Sequence, residues 1–288
     1  MKGTLQQQQA KLGIRLIAPA VTVIGLLIIY PVCYNLYLSF HDVNLSGESL
    51  FVGLSNYSHI ITDPEFWKAF LTTVLYVVFT TAGTTIFGLI VALAMNRRFP
   101  GQGLVRSLLL LPYIAPVISV VYAWQFFFDP VNGIFMHMMV EQWGLYSERF
   151  NLIRSPEYAL WVAIIFSIWK NFPFTYLMLL SRLQAIDANL YEAAEIDGCT
   201  GIKKFTHITL PELSFVLGSI VLMRIIWNMN KFEDIFLLTD NVKTLSIYTY
   251  FKAFTGSLDM GQGSALSIIQ FSLLIGFIIF YVKKVLKW

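Results

Sequence analysis

The feature that most limits this chain is a series of apolar stretches at 12–40, 66–95, 107–128, 158–180, 213–227 and 263–282, each read as a bilayer-crossing helix. A hydrocarbon core leaves no water for backbone N–H and C=O groups, so helices satisfy them internally. The simplest reading is an all-α membrane protein with six transmembrane helices. The fifth stretch is unusual, because Arg224 and the polar run Asn228, Asn230, Lys231, Glu233 and Asp234 interrupt it before Ile235. It is expected to be a span with a polar middle. Composition agrees: 57% hydrophobic residues against 13% charged cannot clothe a water-soluble fold of 288 residues.

Lys2, Lys11 and Arg15 precede the first stretch as they would a signal peptide, but the run is too long and no small-residue cleavage site follows, so it reads as a retained anchor. Lys and Arg in alternate connections orient the remainder. With the N-terminus inside, the cytoplasmic segments hold Lys2, Lys11, Arg15, Arg97, Arg98, Arg106, Arg182, Lys203, Lys204, Lys283, Lys284 and Lys287. The opposite side holds Lys68, Arg149, Arg154, Lys231, Lys243 and Lys252, half as many. Both termini and residues 181–212 are therefore expected in the cytoplasm, and residues 41–65 and 129–157, with Ser46 and Ser147, outside. Turn chemistry at Asp63-Pro64, Asp129-Pro130 and Asn132-Gly133 marks the outer segments, and the apolar patch 134–140 is expected to form a short interfacial helix. Without repeat or low-complexity tract, residues 1–288 read as a single transmembrane domain, with a core at about 66–284.

Several function classes drop out. A net charge of +3 in scattered clusters does not argue for nucleic acid. Cys33 and Cys199 form no disulfide framework or metal site, and His41, His59, His137 and His207 do not cluster, so enzymatic chemistry has no support. Gly198-Cys199-Thr200-Gly201-Ile202-Lys203 has the wrong spacing for a nucleotide phosphate loop. Trp124, Phe126, Phe127 and Phe128 read as an interfacial aromatic belt.

Residues 181–212 read as two short helices around a glycine. Asn189 caps the first with Glu192 three residues on, Gly198 stops it, Thr200 begins the second, and Pro211 suits the first turn of the next span. The first helix is expected to expose the small pair Ala193 and Ala194 between carboxylates, with Leu190, Tyr191 and Ile196 as apolar anchors of a docking surface.

Tyr191-Glu192-Ala193-Ala194, three residues, Gly198, nine residues, then Ile208-Thr209-Leu210-Pro211 resembles the EAA loop of membrane subunits of ATP-binding-cassette (ABC) importers of bacteria and archaea. Leu111-Pro112-Tyr113 with Pro116, Trp169 with Pro173, Leu183 to Ile186, Phe232 with Leu237-Leu238-Thr239, and Phe51 to Tyr57 are similar to the maltose-type carbohydrate importers. The chain ends at Lys283-Lys284 without a long extension, which resembles the MalF-like rather than the MalG-like member of the pair. Asp240-Asn241-Val242 replaces the Gly-Gly-Pro usual there, so a different path of that outer loop is expected.

The resemblance implies a type I ABC importer permease fold in a bacterial or archaeal cytoplasmic membrane. Its implied partners are a second, MalG-like permease subunit, two copies of an ATPase subunit, an extracytoplasmic sugar-binding protein and membrane lipid, with no nucleic acid. It implies no cofactor in this chain, since ATP and Mg belong to the ATPase. It assigns coupling to Glu192, Ala193, Ala194, Gly198, Ile208, Leu210 and Pro211, and sugar contact to Tyr113, Ser167, Lys170, Asn171, Phe174, Asn228 and Lys231. Carbohydrates are held by planar hydrogen-bonding groups beside aromatic faces, and these residues supply both. Lys231 stands where the family's second asparagine is found, so maltose itself is in doubt. On a helix Asn228 and Lys231 project from the same side, with Asp234 three residues further as a pairing partner. An ammonium at membrane depth needs such a partner or an anionic ligand, so a neutral sugar and an acidic one, such as a uronate or sulfonated sugar, both stay open. Import of another small solute, glycerol phosphate or a polyamine, is the alternative within the class. A membrane assembly subunit without a substrate path is the alternative outside it.

Overall fold

The computed structural model describes residues 5–43, 49–255 and 258–286. Lys2, Ser46 and Lys287 lie outside the described residues. Helix α1 spans Gln9–Leu38, strands β1 (His41–Val43) and β2 (Ser49–Phe51) follow, then α2 (Ser55–Thr62) and α3 (Pro64–Met95). Next come α4 (Gln102–Ile114), α5 (Val117–Phe127) and the short α6 (Ile134–His137). The chain continues with α7 (Ala159–Gln184), α8 (Ala188–Ile196), α9 (Gly201–Met229), α10 (Glu233–Leu238), α11 (Leu245–Phe254) and α12 (Met260–Val285).

Among the described residues five helices, α1, α3, α7, α9 and α12, are long and apolar enough to cross a membrane, and α4 with α5 makes a sixth if the pair is one span. That pair departs from the sequence reading. The stretch 107–128 is not one rod: its two helices meet at 93°. Pro116 lacks an N–H and pushes the residue before it out of the helical region, so Ala115 is extended (φ −62°, ψ 138°). The fifth span differs too. It has no polar middle, since α9 ends at Met229 and Asn230-Lys231-Phe232 is the break before α10.

The chain divides into two compact units. One holds residues 1–66 and 249–272. Its antiparallel hairpin pairs His41 with Phe51 and Val43 with Ser49. Asn56 donates to the carbonyls of Ser39 and His41, both at 3.0 Å, which ties α2 to the chain leaving α1. Lys252 and Asp63 form an ion pair at 3.2 Å.

The other unit holds residues 67–248 and 273–288 and contains the candidate site. Two apolar clusters give it a core. The first joins Tyr76, Val121, Phe128, Val162, Phe166, Ile235 and Leu238, and the second joins Ala92, Phe172, Tyr176, Leu179, Leu213 and Ile220. Along α7 the first cluster takes residues up to Phe166 and the second starts at Phe172. The residues between them are where the polar side chains gather. Helices α3 and α7 approach closely: a Cβ at Gly88 would stand 2.7 Å from Thr175 Cβ, so only glycine permits this spacing.

Candidate functional site

Between the clusters, α7 carries Ser167, Lys170, Asn171 and Phe174 at spacings of three and four, which bring them to one side of the helix. Ser167, Lys170, Asn171 and Asn228 are buried, Arg224 is 2% exposed and Asp234 3%. Burial at that level demands hydrogen-bond partners for each polar group.

The partners come from three helices. The Tyr76 hydroxyl of α3 shares a 2.6 Å hydrogen bond with Ser167 Oγ. Asn171 Nδ2 donates to the Ser167 carbonyl at 2.8 Å, within α7. From α9, the Arg224 guanidinium donates to the Asn171 carbonyl, and Asn228 Nδ2 donates to Thr81 Oγ1 at 3.1 Å. Aromatic rings border this layer: Arg224 Cζ lies 5.1 Å from the Phe174 centroid and 5.5 Å from that of Trp227, within cation–π range. Phe174 meets Trp227 edge-on at 5.1 Å, and the Tyr113 ring lies 6.4 Å from Phe174. Tyr113 and Trp227 remain 44% and 42% exposed, so the aromatic border has an open side within this chain.

Lys231 does not sit as expected. It lies in the break after α9, not on one helical face with Asn228, because the helix closes at Asn230 (φ −96°, ψ 8°). Its Nζ is 2.8 Å from the Asp234 carboxylate, and Lys170 Nζ is 3.8 Å from it. Both ammonium groups thus share a buried protein carboxylate, the partner that charge at this depth requires.

Tyr76, Thr81 and Trp227 were not among the residues singled out from the sequence. Tyr76, Thr80 and Thr84 recur every fourth residue in a helix that is otherwise strongly apolar, a polar face that periodicity alone could have marked.

The second candidate region, 181–212, is built by local chemistry. Asp187, not Asn189, caps α8: its Oδ1 accepts the Asn189 N–H at 3.0 Å. Gly198 ends the helix at φ +73°, and the Gly198 and Cys199 N–H groups bond back to the Glu195 and Ala194 carbonyls at 3.0 and 2.9 Å. Glu192 and Ala193 are exposed, but Ala194 faces inward at 9% exposure, so the small pair is not exposed together. Of the three apolar side chains, Tyr191 is the one held within the chain, through its hydroxyl on Thr209 Oγ1 at 2.9 Å. Leu190 and Ile196 project outward, Ile196 at 88% exposure, and Ile202 on the same loop is 79% exposed.

Thr200 precedes the next helix as expected, yet that helix does not stop before the span. Pro211 cannot donate to a carbonyl one turn back, and a π turn over Phe205–Thr209 takes up the misfit, with Ile208 inside it and Leu210 and Pro211 exposed after it. Residues 201–229 therefore form one continuous helix. Arg182 at the end of α7 clasps it through the Glu212 carboxylate at 2.5 Å and the Glu212 carbonyl at 3.1 Å.

Comparisons with known proteins give the family and the fold of the chain. Residues 84–287 match the family model described as binding-protein-dependent transport system inner membrane component. The chain is 37% identical to the inner membrane ABC transporter permease protein YcjO of Escherichia coli over 272 residues, 94% of this chain and 92% of that protein. It is 36% identical to the trehalose/maltose transport system permease protein MalF of Thermococcus litoralis over 283 residues, 97% and 95% of the two chains. It is 33% identical to the sulfoquinovosyl glycerol transport system permease protein SmoG of Agrobacterium fabrum over 273 residues, 91% and 86%. In fold it matches a chain of a bacterial ABC transporter involved in alginate import, with a TM-score of 0.81 at 17% identity, covering 97% of this chain and 96% of the other. With its polar layer, its glycine-stopped loop and its apolar helices, this chain belongs to the binding-protein-dependent transport system inner membrane components, the multi-pass permease subunits of ABC transporters.

Proposed function

We propose that this chain forms half of the membrane pathway of an ATP-driven sugar importer. A second, MalG-like permease subunit supplies the other half, two ATPase subunits bind ATP and Mg, and an extracytoplasmic binding protein delivers the sugar. The observation that carries the reading is the buried polar layer with an aromatic border, lying between two apolar clusters of a membrane protein. Hydroxyls, amides and ring faces together suit a saccharide. Trehalose/maltose and sulfoquinovosyl glycerol in the names of relatives favour a sugar over a polyamine or glycerol phosphate. In this reading Tyr113, Ser167, Lys170, Asn171, Phe174, Asn228 and Lys231 line the path. Glu192, Ala193, Ala194, Gly198, Ile208, Leu210 and Pro211 receive the movement of the ATPases, which alternates access between the two sides. Because Asp234 already satisfies Lys170 and Lys231, neither lysine requires an acidic substrate.

Both termini and residues 181–212 face the cytoplasm of a bacterial or archaeal cell in this proposal. Two experiments test it. Purified complex in vesicles, with binding protein inside the assay, is offered labelled trehalose, maltose and a sulfonated glycoside together with ATP. Uptake of none of them, with the ATPase active, removes sugar import. In cells, a cysteine at Ser147 is expected to react with an impermeant thiol reagent while Cys199 stays protected. Labelling of Cys199 from outside reverses the orientation.

A further inference from the structure

A polar cavity lies beyond the buried layer, at the far end of α10 from Asp234. The C-terminal turns of α5, the turn after it, the segment before α7 and the end of α10 line a half-open space of about 440 Å³. That volume falls within the range of small-molecule sites, about 300–1,000 Å³. Its wall is predominantly polar, which is unusual for a chain this apolar, and it includes one carboxylate, Asp129, and one guanidinium, Arg154.

The wall is held in place by backbone contacts that leave polar groups unused. Gln125 Nε2 donates to the Leu237 and Leu238 carbonyls at 2.9 and 3.2 Å, and its amide oxygen makes no hydrogen bond among the described residues. Asn151 Oδ1 accepts the Arg154 N–H at 3.1 Å, and its NH₂ is likewise uncommitted. Asp129 Oδ1 accepts the N–H groups of Val131 and Asn132 at 2.9 and 2.8 Å, fixing the turn. The Arg154 guanidinium has no hydrogen bond or ion pair among the described residues, although the Arg154 carbonyl is taken by the Asn241 amide. Acceptors and donors thus stand around the same space.

Tyr122 and Phe126 add ring faces. They are four apart on α5, one above the other, and 64% and 63% exposed. Carboxylate and guanidinium balance in charge, so the wall favours neither an anion nor a cation. A ligand whose groups both donate and accept, and whose flat faces are C–H, meets every part of it.

We propose that this cavity is a saccharide subsite on the outer face, which holds one hexose-sized unit before or while the remainder enters the membrane path. The proposal rests on the sugar-import reading and on the outward placement of residues 129–157. Its position supports the link: Leu238 of the cavity wall is four residues beyond Asp234 of the buried layer on the same short helix, about 6 Å along its axis.

The test uses the assembled transporter with Cys33→Ser, Cys199→Ser and Asn132→Cys, and a Ser147→Cys counterpart as control. The rate of reaction with an impermeant maleimide is followed while maltose, trehalose, maltotriose and galacturonate are added singly. A binding saccharide at about four times its Kd is expected to slow Asn132→Cys labelling about fivefold by simple occupancy. Ser147→Cys should not slow, and Tyr122→Ala with Phe126→Ala should abolish the protection. No protection by any of the four sugars, equal protection of the control, or protection by the sugar-free binding protein alone overturns the subsite. Uptake that continues without protection removes the subsite and leaves sugar import standing. Protection without uptake does the reverse. Labelling of Asn132→Cys from inside only overturns the outward placement on which the subsite depends.

Discussion

The loop 181–212 and the buried layer solve opposite problems. In residues 187–212 the ends of short helices are satisfied by neighbours a few residues away, and apolar side chains such as Ile196 and Ile202 are left outside. In the buried layer, beside the local Asn171–Ser167 and Lys231–Asp234 contacts, the linking bonds run between helices: Tyr76 meets Ser167, Arg224 meets Asn171 and Asn228 meets Thr81. A loop at the end of the helices can rely on local chemistry. A polar layer surrounded by apolar packing must be completed from several helices at once, since each unpaired group there costs free energy.

The sharpest way to break the contrast is Asp234→Asn. It leaves Lys170 and Lys231 at membrane depth without their carboxylate, and removing one member of a buried pair costs about 3–5 kcal/mol. Thermal unfolding in detergent should show a large loss of stability, restored by combining Asp234→Asn with Lys170→Gln and Lys231→Gln. Equal stability of the single variant and the wild type would mean that the carboxylate is not what holds the layer.

On the loop side, Gly198→Val forces a branched residue to a positive φ, at a cost of about 1–2 kcal/mol. The expected result is loss of transport with the protein still present in the membrane and an unfolding midpoint close to wild type. Glu192→Lys should act likewise by reversing an exposed charge on α8. Normal transport and normally stimulated ATPase activity in both variants would remove the loop from its coupling role.

A smaller effect is expected from Lys231→Gln alone. Lys170 stays close to Asp234, so the loss should be about 1 kcal/mol, in the range of partly exposed ion pairs. Relative uptake of acidic and neutral sugars should not change. A shift in that ratio would show that Lys231 faces the solute after all.

The smallest effect concerns the outer segment. The Arg149 guanidinium holds the Glu141 carboxyl below its ordinary pKa, aided by His137. A carboxylate depressed in the folded state adds stability above its ordinary pKa, and that contribution fades as pH falls through the depressed value. Proteolysis of residues 129–157 should quicken slightly on acidification, and Glu141→Gln should flatten the dependence. An identical pH profile in the variant would dissociate the pair from the loop's order.

The same contrast explains what could be read from residues alone. Gly198 and the residues around it were legible because a helix stop is a local event, although the cap was placed at Asn189 when the side chain two residues earlier, Asp187, reaches the N–H first. On α7 Ser167, Lys170, Asn171 and Phe174 came from the family resemblance, and the structure puts them on one side of the helix. The completion of that layer was not legible, because Tyr76 lies 91 residues from Ser167 in sequence and Asn228 lies 147 from Thr81. The bend at Ala115-Pro116 was masked for another reason: a window of hydropathy averages over a proline whose effect is geometric, not apolar.

The continuous helix α9 carries a consequence for register. It runs for 29 residues, about 40 Å, from the coupling loop at Gly201 to Asn228 in the buried layer. The five-residue π turn over Phe205–Thr209 holds one residue more than an α turn would, near one end of this rod. That wide turn takes up the extra residue locally, so deleting one residue there would close it with little rotation of the far end, whereas deleting one from the regular helix beyond it would turn Asn228 by about 100° relative to the loop, away from Thr81. The rotational alignment of the polar layer is thus buffered beside Pro211 and set by the residue count of the regular helix after it.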